Sequence, residues 1–191
     1  MKEKTHLGNR LLSVLLTVLM LLSLLPSAAL AADTQQIALM AVTQNGFLIE
    51  PEYVTYHSGD TVKDVLKNSS HTFSGIDNGY ITAIDGTTDN FSIHYDEDGY
   101  KLDQSADGLT AIWFTTNSGQ IYGANLQQLA ANMAVYNTAT NGLKDYKAAQ
   151  EAYDAAVKGF YAATDTKAKT LNDALFSAIA VSYTHLRAHE T

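Results

Sequence analysis

Residues 59–67 read GDTVKDVLK and residues 79–86 read GYITAIDG. The first stretch is a turn that feeds a helix. Ser58-Gly59-Asp60 supplies the turn. Thr61 offers a hydroxyl to the helix's orphan N–H groups, and Asp64 stands three residues on, a variant of the capping box. Val62, Val65 and Leu66 fall on one helical face, which is expected to dock on a sheet. The second stretch reads as a strand, Tyr80–Ile84, closed by the turn pair Asp85-Gly86, since both residues tolerate positive φ.

Outward from these two stretches the texture is β from Ile37 to Tyr122. Runs of Val, Ile, Thr, Tyr and Phe alternate with Gly, Asp and Asn. Strands are predicted at Ile37–Thr43, Phe47–Ile49, Val54–His57, Tyr80–Ile84, Phe91–Tyr95 and Thr110–Thr115, with a weaker one at Tyr100–Leu102. Asn45-Gly46 and Asp98-Gly99 read as hairpin turns like Asp85-Gly86. Three strands, a helix and further strands predict an α+β fold: a small β-grasp-like mixed sheet with one packed helix, over residues 33–122.

From Ala124 the spacing becomes helical. Leu126, Leu129, Ala130 and Met133 mark one helix, Ala124–Asn137. Leu143, Tyr146, Ala149, Tyr153, Ala156 and Phe160 mark a second. Ala168, Leu171, Leu175 and Ile179 mark a third, with Asp165 as its expected N-cap. The short link Ala162–Thr164 predicts an antiparallel hairpin, which needs a third helix to cover it. Residues 123–180 are thus expected to form a helical hairpin or three-helix segment serving as a spacer. Leu171, Leu175 and Ile179 are expected to lack some of their partners.

The two ends are set apart from this fold. Lys2, Lys4 and Arg10 precede the apolar run Leu11–Leu25, and Ala29-Leu30-Ala31 is a small-x-small cleavage site. That is the pattern of a signal peptide over residues 1–31. The run is shorter than the ~20 residues a bilayer span needs. No cysteine follows it, which excludes a lipoprotein anchor. Residues 181–191, VSYTHLRAHET, resemble a translated frame of a transposase-type sequencing adaptor. They are therefore set aside, together with the helically spaced pair His185 and His189. The chain is expected to be the N-terminal fragment of a longer protein, with any anchor in the part that follows.

The chain carries a formal net charge of −8. Its lysine, arginine and glutamate residues at the two ends contribute more base than acid, so the remainder is more acidic still. Nucleic acid and anionic membranes would repel such a chain. There is no cysteine, so a core rather than a disulfide framework must hold the fold. A secreted chain without cysteine is expected to be bacterial.

Gly59–Lys67 and Gly79–Gly86 carry a family resemblance. Gly46 to Gly86 is similar to the small domain of bacterial surface proteins related to the C-terminal domain of transcobalamin. In that family G-x-T-V-x-D-V-L opens the helix, and G-Y-[VI]-x-x-I-x-G is the next strand and its turn. Later family features appear only loosely, as Trp113-Phe114 and Asn117-Ser118-Gly119. The resemblance implies a secreted or cell-surface binding module; in transcobalamin the domain contacts a corrinoid. The helical segment is similar to stalk-like repeats of bacterial surface proteins.

Chemical motifs are sparse. His94-x-Asp96-x-Asp98-Gly99 partly follows a calcium loop, but position 1 is His and position 12 is Ser105, where acidic ligands are expected. A polar turn is the simpler reading, and a looser site from Asp96, Asp98 and Asp103 is the alternative. His57, His71 and His94 lack paired spacing for a metal or a triad. No Ser sits in a G-x-S-x-G elbow, and no cofactor is implied. Tyr53, Tyr56, Tyr80, Tyr95, Tyr100 and Trp113 form a large aromatic set. Core packing accounts for most of them. The functional alternative is an exposed platform drawn from Tyr56, Tyr80, Tyr100 and Trp113, stacking on a sugar or corrinoid ring. The expected function is a non-catalytic extracellular binding or adhesion module for a glycan, protein or corrinoid, with no nucleic-acid partner and no membrane span in the mature chain. The alternatives are an accessory N-terminal region of a secreted hydrolase, and a corrinoid-binding module.

Overall fold

A computed structural model describes residues 34–140 and 142–189, with side chains through Thr184. The expected signal peptide lies outside the described residues. The elements in chain order are β1 (Thr34–Thr43), β2 (Gly46–His57), α1 (Val62–Asn68), β3 (Phe73–Ser74), β4 (Ala83–Ile84), β5 (Thr87–Thr88), β6 (Ser92–His94), β7 (Ala111–Thr115), α2 (Ala124–Thr138), α3 (Lys147–Phe160) and α4 (Asp165–His189). Single-turn helices lie at Ile76–Asn78 and Leu143–Asp145.

The main sheet has the order β2-β1-β7-β6. β1 and β7 pair in parallel at its centre, from Ala38↔Ala111 to Val42↔Thr115, and both outer pairings are antiparallel. First and last strands side by side in parallel, with a helix packed on the sheet, is the β-grasp-like α+β arrangement. A second sheet, β3-β4-β5, is built from two-residue strands.

Several strands differ from the sequence expectation. Phe47–Ile49 and Val54–His57 belong to one strand, β2, which runs through Pro51. Proline is tolerated there because β2 is an edge strand and its register slips between Leu39↔Glu52 and Ala41↔Ile49. The β1–β2 turn sits on Gln44 and Asn45, one residue earlier than expected, and only Gly46 takes a positive φ, 119°. Asp85 (φ 47°) and Gly86 (φ 79°) do close a two-residue hairpin. Tyr80–Ile84 contributes only Ala83–Ile84 as strand. Tyr100–Leu102 is not a strand, and Asp98-Gly99 is a turn without a hairpin. The backbone of 101–104 is committed elsewhere: Leu102 O and Gln104 O accept from Lys63 N and Val62 N, satisfying the start of α1.

The cap of α1 is the one the sequence predicts. Thr61 Oγ1 accepts from Asp64 N (3.2 Å), and Asp64 Oδ2 accepts from Thr61 N (2.9 Å). These Thr61 hydrogen bonds hold the Asp64 carboxyl below the usual range. Val62, Val65 and Leu66 are fully buried in a core with Ile37, Leu39, Ile112 and Phe114. This core fills one face of the sheet.

The helical segment covers the other face. Ala38, Met40, Val42, Ala111 and Trp113 alternate with the first set and are buried as well. α2 packs on β1, β2 and β7, and α4 packs on both α2 and α3. Side-chain hydrogen bonds bridge the layers. Tyr53 Oη donates to Ala131 O (3.4 Å), Asn137 Nδ2 to Pro51 O (2.9 Å), and Gln127 Nε2 to Tyr95 O (2.6 Å). The change of texture near residue 122 thus falls inside one compact unit. Leu175 and Ile179 are buried (0% and 2% exposed), so the expected shortage of partners on α4 is corrected. Only Leu171 is half-buried.

Asp165 is not the N-cap of α4; Thr164 takes that place, its Oγ1 accepting from Lys167 N (3.3 Å). The Asp165 carboxylate caps α2 instead. Its Oδ1 accepts from Asn125 N (2.8 Å) and Leu126 N (3.3 Å), and its Oδ2 from Asn125 Nδ2 (2.6 Å). Gly123 is required beside it, because a Cβ there would lie 2.1 Å from Asp165 Oδ1. Asp165→Ala is expected to destabilise the fold by about 1–2 kcal/mol, the ordinary worth of a lost cap. Urea unfolding of the two proteins measures it.

Candidate functional site

A groove of about 370 Å³ opens beside β6, at the edge of the α1-side core. Its lining comes from three segments and a floor. Gly79, Tyr80 and Ile81 follow the single-turn helix. Phe91, Ser92 and Ile93 belong to β6 and its approach. Tyr100 and Leu102 come from the turn, and Phe114 of β7 forms the floor. Tyr80 and Tyr100 stand at the rim, 57% and 65% exposed.

Local geometry fixes both rim residues. Gly75 and Gly79 flank the single-turn helix with φ near 84° and 83°. At Gly75 a Cβ would come within 2.6 Å of Tyr80 O, so only glycine lets the loop fold back this closely. The Tyr100 turn is pinned by Tyr95, whose Oη donates to Lys101 O (2.6 Å). Burial pushes the Tyr95 phenol up to about 12, so it stays a donor at any ordinary pH. Gly99 is forced by crowding, since a Cβ would meet Tyr95 N and Asp96 N at 2.8 Å. Lys101 Nζ lies 5.6 Å from the centre of the Tyr100 ring, a cation–π contact that orients it.

Of the four residues expected to form an exposed aromatic platform, Tyr80 and Tyr100 are exposed and Tyr56 and Trp113 are buried. Tyr56 is 1% exposed, its Oη donating to Gln35 Oε1 (2.8 Å), with Ala106 O as a second acceptor within reach (3.2 Å). Trp113 is fully buried under the helical layer. It stacks on His94 (centroids 5.2 Å) and Tyr122 (5.8 Å), and Phe160 meets it edge-on at 6.2 Å. Both residues sit on strands of a sheet that is covered on both faces, whereas Tyr80 and Tyr100 sit on turns. The sequence reading did not single out Ile81, Phe91, Ile93, Leu102 and Phe114, because apolar groove walls have the composition of a core.

The remaining candidates stay apart. A second depression of about 400 Å³ is lined by Asp96, Glu97, Asp98, Tyr122, Gly123 and Ala124. Asp96 there is spent on its own loop: Oδ1 accepts from Asp98 N (2.9 Å) and Oδ2 from Gln104 Nε2. This is the polar turn of the simpler reading. His57, His71 and His94 lie in separate surroundings. His57 is exposed near Asp60, His71 lies between Glu52 and Asp85, and His94 is against Trp113, where burial lowers its pKa. Among the described residues no group of three His, Asp or Glu side chains could hold a metal ion, and no helix is long and apolar enough to cross a membrane.

No known family model matches this chain, and no curated protein is detectably similar to it.

Proposed function

We propose that this chain is a non-catalytic binding or adhesion module that acts outside the cell and seats its ligand in the Tyr80–Tyr100 groove. One observation carries the reading. Two large aromatic side chains, from two different turns, stand more than half exposed on a groove whose lining is mainly apolar and uncharged. Exposed aromatics at the lip of an apolar groove are where ligand-binding energy concentrates. The lining offers hydroxyls from Tyr80, Tyr100 and Ser92 and no acid–base pair. It therefore suits holding a ligand rather than moving its protons. The leader-like N-terminus supports the extracellular setting.

A corrinoid is the second reading. Gly79, Tyr80 and Ile81, which open the stretch resembling the transcobalamin-related domains, form one wall of this groove. As an accessory region of a secreted hydrolase the groove would serve the same purpose, guiding a larger enzyme to its substrate.

The test is calorimetry of the full chain against neutral oligosaccharides and cobalamin. Tyr80→Ala and Tyr100→Ala are each expected to weaken the ligand that binds by about tenfold, as truncation of an interface aromatic does. Both side chains are exposed, so the folded state should be unchanged by circular dichroism. A ligand that binds both variants as it binds the parent chain would place the site elsewhere.

A further inference from the structure

The geometry points to His71 as a pH-operated clasp between the two sheets, closed when its ring is protonated and half-open when it is neutral. His71 lies on the segment between α1 and β3. Its Nδ1 is 2.6 Å from Asp85 Oδ2, and its Nε2 is 3.3 Å from Glu52 Oε1. Asp85 belongs to the β4–β5 turn of the small sheet, and Glu52 belongs to β2 of the main sheet. One imidazole therefore joins elements that no strand pairing connects.

The chemistry of the ring sets the switch. A neutral imidazole has a single N–H, and its other nitrogen is an acceptor. With a carboxylate at each nitrogen, the neutral ring satisfies one and turns a lone pair on the other. Only the imidazolium donates to both. The Asp85 contact is the better supported of the two. Asp85 Oδ1 also accepts from Thr72 N (2.8 Å), and Asp85 N donates to Thr72 O (2.9 Å). Burial works against the ionised Asp85 carboxyl, but the Thr72 N–H and His71 hold it below the usual range. Among the described residues no further hydrogen bond supports the Glu52 carboxylate, and this is the contact the neutral ring releases. The charged groups facing the ring are Glu52 from β2 and Asp85 from the turn. On α1, Lys63 and Lys67 are engaged by Asp77 (2.9 and 2.7 Å) and do not compete.

The sign follows. The clasp needs ionised carboxylates and a protonated ring. It weakens when the ring gives up its proton, and also when a carboxylate takes one up. What it holds is the small sheet from which the loop carrying Tyr80 springs, so its bearing on ligand rests on the function proposed above. Thr72 leads into β3, and Thr82 N donates to Ser74 O (2.9 Å), which fixes the loop carrying Tyr80.

Amide hydrogen exchange in the full chain, corrected for intrinsic rates, reads the opening of the small sheet at Ser74 and Asp85. Opening is expected to rise about fivefold from about pH 5 to about pH 8, the worth of one partly exposed charged contact. His71→Gln and Glu52→Gln should both flatten this profile. Glu52 is partly exposed, so its variant carries the test if His71→Gln fails to fold. A flat profile in the parent chain, or a rise that survives in Glu52→Gln, would overturn the clasp.

Discussion

A chain ending at Tyr122 is expected to lose cooperative folding, even though residues 34–122 contain every described strand of both sheets. The truncation strips one face of the main sheet. Met40, Val42 and Trp113 are 0–1% exposed and face the helical layer, with Ala38 and Ala111 beside them. Burial of each large side chain contributes about 1.5–3 kcal/mol. Hydrogen bonds from Gln127 to Tyr95 O and from Asn137 to Pro51 O are lost as well. The total approaches the whole stability of an ordinary domain, about 5–15 kcal/mol. The uncovered strip is also a contiguous apolar patch of the kind that drives association. Urea unfolding followed by far-ultraviolet circular dichroism, with an amide proton spectrum, gives the answer. A sigmoidal transition near that of the full chain, with dispersed amide signals, would show that the helical layer is a dispensable appendage.

That layer was written into β1, in a form that a search for alternation passes over. Ile37–Val42 is an unbroken apolar run, and so is Ala111–Phe114. A strand covered on one face alternates; a strand covered on both does not. The two unbroken runs are the two central parallel strands. Local features were legible for the opposite reason. The Thr61–Asp64 cap and the Asp85-Gly86 turn involve neighbours in sequence, so residue chemistry alone specifies them.

Features that join distant segments were not legible. Asp165 caps a helix that begins about forty residues earlier, and within its own helix it looks like an ordinary N-cap. Pro51 splits a strand in any local reading, and only its edge position shows why the strand continues. The candidate groove was half legible. Tyr80 and Tyr100 were among the candidates, but so were Tyr56 and Trp113. Strand alternation assigns a residue to a face; it does not say whether that face is open. The aromatic residues that reach solvent are those on turns, where the backbone leaves the sheet.

Replacing Gln120 with Met is expected to cost about 2–3 kcal/mol, more than an average surface change, because one side chain joins the sheet to the helical hairpin. Gln120 is 5% exposed. Its Oε1 accepts from Trp113 Nε1 (3.1 Å), and its Nε2 donates to Phe160 O (2.7 Å) at the end of α3. Methionine keeps the length and apolar bulk but neither function. Phe160 O retains a second donor, Ala163 N (3.1 Å). The indole N–H has no such reserve: it is donor-only and fully buried, so its desolvation goes uncompensated. This asymmetry makes the contact separable from packing. Trp113→Phe removes the N–H along with part of the ring, so Met at 120 then withdraws a donor from Phe160 O, which keeps Ala163 N, and the longer contacts to Tyr161 O and Ala163 O (3.4 Å each), but strands no indole N–H. In a double-mutant cycle measured by urea unfolding, the combined change should therefore cost less than the sum of the two single changes, by about 1 kcal/mol or more. Strict additivity would mean that the indole finds another acceptor and that Gln120 only fills space between the layers.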